Sequence, residues 1–65
     1  MNIFAPGDRV SAKYRGDGTV ITPSQEHLGR PHFDDDICVM FDSGIVMWLG
    51  DMYLKRIGPR SEMAH

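Results

Sequence analysis

Hydrophobic and polar residues alternate along this chain with a short period, which predicts strands rather than helices. Residues 9–14 alternate most cleanly, with Val10, Ala12 and Tyr14 on one face. Four further runs rich in β-branched and aromatic residues are bounded by Gly, Pro, Asp or Ser: residues 19–22, 37–41, 45–49 and 54–57. No segment has a helical period of useful length. The pattern therefore predicts an all-β domain of five short strands.

Residues 36–49 form the most distinctive stretch, a predicted hairpin whose turn is Asp42-Ser43-Gly44. Alternation predicts a core face made of Ile37, Val39, Phe41, Val46 and Trp48. The second face is apolar as well, and its predicted members are Cys38, Met40, Ile45, Met47 and Leu49. A sheet that covers one core shows polar residues on its other face. We therefore expect this second face to contact a protein partner or a second copy of the chain.

The segments between the predicted strands complete the domain. Residues 23–35 are polar and form a loop that is long for so small a chain, and such loops are usually functional or mobile. Residues 50–53 are expected to form a 3₁₀ turn before the last strand, with Tyr53 in the core. Five strands joined by turns favour a barrel that closes on itself and so removes its edges. The expected organisation is a lead-in at residues 1–5, a barrel at residues 6–58 and a flexible tail at residues 59–65.

The order of these motifs resembles the SH3-like barrels of the Tudor and KOW type. The residues that carry the resemblance are Pro6-Gly7-Asp8-Arg9-Val10, Gly18-Thr19-Val20-Ile21, Val39-Met40-Phe41-Asp42-Ser43-Gly44, Trp48 and Tyr53-Leu54-Lys55-Arg56-Ile57. The resemblance covers most of the chain and implies a five-stranded SH3-like barrel. It implies no single function, because this barrel hosts many.

Two members of that group suggest specific functions. Tyr14 and Phe41 resemble two positions of the aromatic cage in Tudor domains that read methyl-lysine, although Gly18-Thr19-Val20 offers no aromatic where another is expected. Residues 44–57 are similar to the plasmid-type (type II) dihydrofolate reductase, a homotetramer around a central pore. Here Val46-Met47-Trp48-Leu49 lacks the amide and phenol that contact ligands in that family. The similarity therefore favours self-assembly over reductase activity.

Composition narrows the class of protein further. The chain has 65 residues and a net charge of −2, and its single cysteine, Cys38, excludes an intramolecular disulfide. Neither a signal peptide nor a long apolar run is present, so a cytoplasmic protein without a membrane segment is expected. A nucleic-acid-binding barrel would use Arg9, Lys13 and Arg15, but the sign of the net charge opposes it.

Residues with metal-binding or nucleophilic chemistry are few. His27, His32 and Asp34 could bind a metal, but their spacing matches no standard site. Cys38 has no histidine in an evident strand partner, so an interface thiol is expected rather than a nucleophile. We therefore expect no enzyme, no cofactor and no metal. The sequence favours a protein-binding or self-assembling module, for which an accessory regulator of a larger protein machine is one role suggested by fold analogy; nucleic-acid binding and a reductase-like homotetramer are the alternatives.

Overall fold

Five antiparallel strands in a single sheet make up most of the structure, a computed structural model that describes residues 4–58. The strands are β1 (Arg9–Ala12), β2 (Gly16–Val20), β3 (Ile37–Phe41), β4 (Val46–Leu49) and β5 (Leu54–Gly58). Their order across the sheet is β4-β3-β2-β1-β5, so the last strand lies beside the first. The all-β fold class expected from the sequence is confirmed.

The first hairpin differs most from the predicted strand boundaries. β1 ends at Ala12, because Tyr14 has a φ of 68° and lies in the turn instead of continuing the strand. β2 is the segment Gly16–Val20, shifted toward the N-terminus from the predicted residues 19–22. Position 18 of this strand requires glycine, because a Cβ there would come within 2.8 Å of the carbonyl oxygen of Met40 on β3. Close approach of two backbones, rather than a turn, explains this glycine.

The sheet is not closed within residues 4–58. β4 pairs with β3 and β5 pairs with β1, and no pairing joins β4 to β5. A closed barrel is therefore not confirmed. Residues 1–3 of the expected lead-in and all of the expected tail, residues 59–65, lie outside the described residues. Phe4, also assigned to the lead-in by the sequence, is buried in the core.

The hydrophobic core occupies one face of the bent sheet. Its buried members are Phe4, Val10, Ala12, Val20, Ile37, Val39 and Phe41, and three half-buried side chains pack against them: Met47, Leu49 and Leu54. The predicted division of the second hairpin into faces is therefore wrong for Ile45, Met47 and Leu49. Its three-residue turn sets Phe41 opposite Ile45, so Val39 is opposite Met47 and Ile37 opposite Leu49. Directly paired residues share a face.

The same register places Trp48 on the face of the sheet opposite the core. It is the partner of Cys38, and Val46 is the partner of Met40, so these four side chains belong to the face turned away from the core. The sequence placed Trp48 and Val46 in the core, and that prediction is wrong. The face opposite the core therefore carries the only tryptophan of the chain.

The long loop contains a one-turn helix, α1 (Gln25–Leu28), which the sequence did not predict. The side chain of Ser24 accepts a hydrogen bond from the His27 N–H, and His27 Nδ1 accepts one from the Ser24 N–H. Four residues are too few to leave a hydrophobic period, so only this cap could have indicated the helix. The expected 3₁₀ turn is present at Asp51–Tyr53. Within residues 4–58, no helix has the length and apolar character needed to span a membrane.

Candidate functional site

The chain's own long loop contacts the outer face of the second hairpin, which carries Cys38 and Met40 of the predicted partner-binding set together with Val46 and Trp48. The indole N–H of Trp48 donates to the carbonyl oxygen of His27 at 2.8 Å. The ring of His32 stacks on that indole with 3.9 Å between centroids. Arg30 donates to the carbonyl oxygen of Val46 on β4 at 3.1 Å. These three contacts hold the loop against the outer face of the hairpin, so the chain itself covers part of the face that the sequence prediction left exposed.

Cys38 and Met40 both lie on this face but differ in access. Cys38 is only 3% exposed and forms no disulfide. Burial raises the pKa of its thiol, and the nearby charge of Arg30 opposes that rise. A buried thiol with a raised pKa is a poor nucleophile. Met40 is exposed. Of the two, only Met40 is therefore available to a partner.

Two of the candidate metal ligands, His27 and His32, form hydrogen bonds within the loop. His27 Nδ1 belongs to the cap of α1, and His32 Nδ1 lies 2.7 Å from the carbonyl oxygen of Arg30. Across residues 4–58, no group of three His, Cys, Asp or Glu side chains is arranged to hold a metal ion. The histidines therefore have a structural role in fixing the loop.

A groove of about 390 Å³ lies on the other side of the molecule, between the β1–β2 turn and the end of β4. We call it the basic groove, and its lining residues are Ala12, Lys13, Tyr14, Arg15, Leu49 and Tyr53. A smaller depression of about 200 Å³ shares Tyr14 and Arg15 with it and extends to Ile45 and Met47. Three residues of the predicted partner-binding set, Ile45, Met47 and Leu49, thus line this continuous surface, whereas Cys38 and Met40 do not.

Tyr14 stands at the rim of both depressions in an unusual backbone conformation. The Arg15 N–H donates to the Ala12 carbonyl at 3.1 Å and closes the turn, with Tyr14 at a φ of 68°. A bulky residue is rare in this left-handed region, where glycine or asparagine is favoured. Its side chain is 93% exposed, and the ammonium of Lys13 lies 5.1 Å from the ring centroid. A strained turn therefore presents an aromatic ring to solvent, as functional sites often do.

The cations around the groove are the ones that lack acidic partners. Elsewhere in residues 4–58 each arginine is paired: Arg9 with Asp42, Arg30 with Glu26 and Arg56 with Asp8. Lys13 and Arg15 form no ion pair in this part of the chain. Two uncompensated positive charges thus lie together at one site.

Arg9 does not line the groove with Lys13 and Arg15, so the three residues predicted to bind nucleic acid do not form one site. Both of its terminal nitrogens donate to the Asp42 carboxylate at 2.9 Å, and one also donates to Thr19 Oγ1. The hydrogen bonds from Arg9 lower the pKa of Asp42. A guanidinium whose two terminal nitrogens both donate to one carboxylate is not free to bind phosphate.

Two further sequence predictions about aromatic residues are corrected here. Phe41 belongs to the core and cannot offer a free face to a methylated lysine, so Tyr14 is the accessible one of the two residues that resemble cage positions. Tyr53 was assigned to the core, but it is exposed and lines the basic groove beside Leu49. An exposed tyrosine in a turn leaves no periodic signal.

Comparison with protein-family models, with curated proteins and with solved structures finds no match to this chain.

Proposed function

We propose that this domain is a non-enzymatic protein-binding module that holds an acidic segment of a partner protein in the basic groove. The observation that carries the proposal is the proximity of Lys13 and Arg15, both without an ion pair in residues 4–58, beside two exposed tyrosines. Uncompensated charge on one side of an interface favours the opposite charge on the other.

The lining of the groove supports binding rather than catalysis. It contains no carboxylate, imidazole or thiol that could act as a general base or nucleophile. Its apolar members, Leu49 and the two tyrosine rings, suit an aliphatic or aromatic side chain next to the acidic residues. Tyrosine and arginine are the residue types that most often dominate binding energy at interfaces.

The test is a fluorescence-anisotropy titration with a labelled acidic peptide that contains one phenylalanine. Saturable binding is expected, and Arg15→Gln should weaken it about fivefold, since exposed charge pairs contribute up to about 1 kcal/mol. Gln25→Glu is the matched control, because it lowers the net charge equally at an exposed position on α1. Equal weakening by both variants, or no binding at all, would refute the proposal.

Nucleic-acid binding is the second candidate, because exposed tyrosines next to free cations can also stack bases and contact phosphates. It would use Lys13 and Arg15 and would leave out Arg9, which is paired with Asp42. The net charge of −2 opposes it. Oligothymidylate in the same titration separates the two candidates: binding that falls steeply with salt and requires Tyr14 would favour the nucleic acid.

A further inference from the structure

A second surface, opposite in charge, lies directly beside the basic groove. We call it the acidic surface, and its lining residues are Phe33, Asp34, Asp35, Asp36, Gly50, Asp51 and Met52. None of its four carboxylates forms an ion pair within residues 4–58. Phe33 is 81% exposed and Met52 is 79% exposed. This surface therefore has the features that the basic groove would recognise, namely negative charge combined with large apolar side chains.

The two surfaces meet at the 3₁₀ turn. Gly50, Asp51 and Met52 line the acidic surface, and the residues on either side of them, Leu49 and Tyr53, line the basic groove. A two-fold axis that passes near this turn would set each basic groove against the acidic surface of the other copy. Such an interface is self-complementary and closes after two copies.

We propose that in the isolated protein the basic groove is occupied by the acidic surface of a second copy, so that the domain forms a two-fold dimer through the 3₁₀ turn. The inference rests on the proposed function, since it assigns a competing occupant to the same groove. Phe33 of each copy would enter the groove next to Tyr14, and the paired Met52 side chains would lie near the axis. A partner would then have to displace the second copy before it could bind.

Charge and exposed apolar area both favour a second copy as the occupant. The arrangement brings two clusters of opposite charge together twice, which raises association rates and disfavours other orientations. It also covers four large side chains that water otherwise surrounds: Tyr14, Phe33, Met52 and Tyr53. A chain this short has a small core, and covering such side chains by association is a common source of stability.

Light scattering over a range of protein concentrations tests the dimer. The mass should rise from one copy to two as the concentration increases, and added salt should shift that transition to higher concentration. Two charge-reversed variants should each remain monomeric: Lys13→Glu/Arg15→Glu, and Asp34→Lys/Asp35→Lys. All four positions are exposed, so both variants are expected to fold, as circular dichroism would verify.

Mixing the two variants gives the sharper result. In a mixed dimer the unchanged basic groove meets the unchanged acidic surface, and the reversed groove meets a surface that carries two lysines, so an equimolar mixture should regain the dimer mass. A wild-type protein that stays monomeric at every concentration would overturn the inference, and so would a dimer that both variants retain.

The acidic peptide distinguishes failure of this inference from failure of the proposed function. Asp34→Lys/Asp35→Lys keeps the groove but removes the competing surface, so its affinity for the peptide should not change with protein concentration, whereas wild type should bind the peptide more weakly at dimer-forming concentrations. Peptide binding without any dimer would overturn the dimer alone. A dimer whose groove binds no peptide, in wild type or in this variant, would overturn the proposed function alone.

Discussion

The imidazole ring of His32 lies flat on the indole ring of Trp48, with 3.9 Å between centroids and 8° between ring planes. The same indole donates its N–H to the carbonyl oxygen of His27. Trp48 therefore joins β4 to two points of the long loop, one on α1 and one after it. Through these two contacts Trp48 fixes the long loop, which is polar and contains glycine and proline, over the outer face of the hairpin.

Removal of the stacked ring should loosen that layer. His32→Ala is expected to lower the free energy of unfolding by about 1 kcal/mol, the contribution typical of an aromatic pair. Trp48 is the only tryptophan, so its emission should shift to longer wavelength as water reaches the indole. Alkylation of Cys38 should also become faster, because the loop lies over the same face. Leu28→Ala, an exposed position in the same loop, is the control and should change neither signal. Unchanged emission in His32→Ala would show that the stack does not hold the loop.

The positions of the second hairpin and the last strand could be predicted from the sequence, but the contacts of the hairpin's outer face could not. β-branched and aromatic runs bounded by turn residues located β3 and β5 to within a residue. The length of the turn Asp42-Ser43-Gly44 also determines the register of the hairpin, because three turn residues set Phe41 opposite Ile45. The loop contacts left no such signal, since a hydrogen bond from an indole to a distant carbonyl has no sequence period.

The basic groove illustrates the same limit for the candidate site. Lys13, Arg15 and Leu49 were all identified from the sequence, but for two different surfaces. Their proximity depends on the Ala12–Leu54 pairing of the first and last strands, which also brings in Tyr53. Long-range pairing of this kind cannot be inferred from local alternation. The sequence therefore identified residues of the site but not their proximity in the fold.

Gly18 should tolerate no side chain. A Cβ at this position would lie 2.8 Å from the Met40 carbonyl oxygen and 2.9 Å from a methyl of Val39. Gly18→Ala must therefore push β2 away from β3, and we expect it to lower the free energy of unfolding by about 2 kcal/mol. Urea denaturation would measure this change.

Gly29→Ala is the matched control for that experiment. Gly29 has an ordinary helical φ of −77°, and a Cβ there would find its nearest neighbour at 3.5 Å. Alanine should fit without strain and leave stability unchanged or raise it by up to about 0.5 kcal/mol. Similar losses in the two variants would contradict close packing of β2 on β3 as the cause.

The Arg9–Asp42 pair should make stability depend on pH in the acidic range. The hydrogen bonds from Arg9 lower the pKa of Asp42 in the folded protein relative to its ordinary value in the unfolded chain. The stabilisation is therefore present above the ordinary pKa and is lost as the pH falls through the folded value. Asp42→Asn should lower the melting temperature at neutral pH, and its difference from wild type should shrink in acid.

Asp51→Asn provides the comparison for that pH series. Asp51 is an exposed carboxylate without an ion pair in the described part of the chain, so its replacement should leave the melting temperature nearly constant at neutral pH. A difference between Asp42→Asn and wild type that stays the same from neutral to acidic pH would mean that the Asp42 carboxylate is not the titrating group.

Tyr14 should show opposite effects of one substitution on stability and on binding. Its φ of 68° lies in a region that asparagine occupies more readily than tyrosine, so Tyr14→Asn should raise the free energy of unfolding by up to about 1 kcal/mol. The same variant removes an exposed ring from the basic groove and should weaken binding of the acidic peptide severalfold. Tyr14→Phe keeps both the strained backbone and the ring, so it should change neither quantity. Urea denaturation and the anisotropy titration measure the two effects. If Tyr14→Asn instead destabilises the fold, the ring packs for stability, and its place in the turn would not reflect selection for binding.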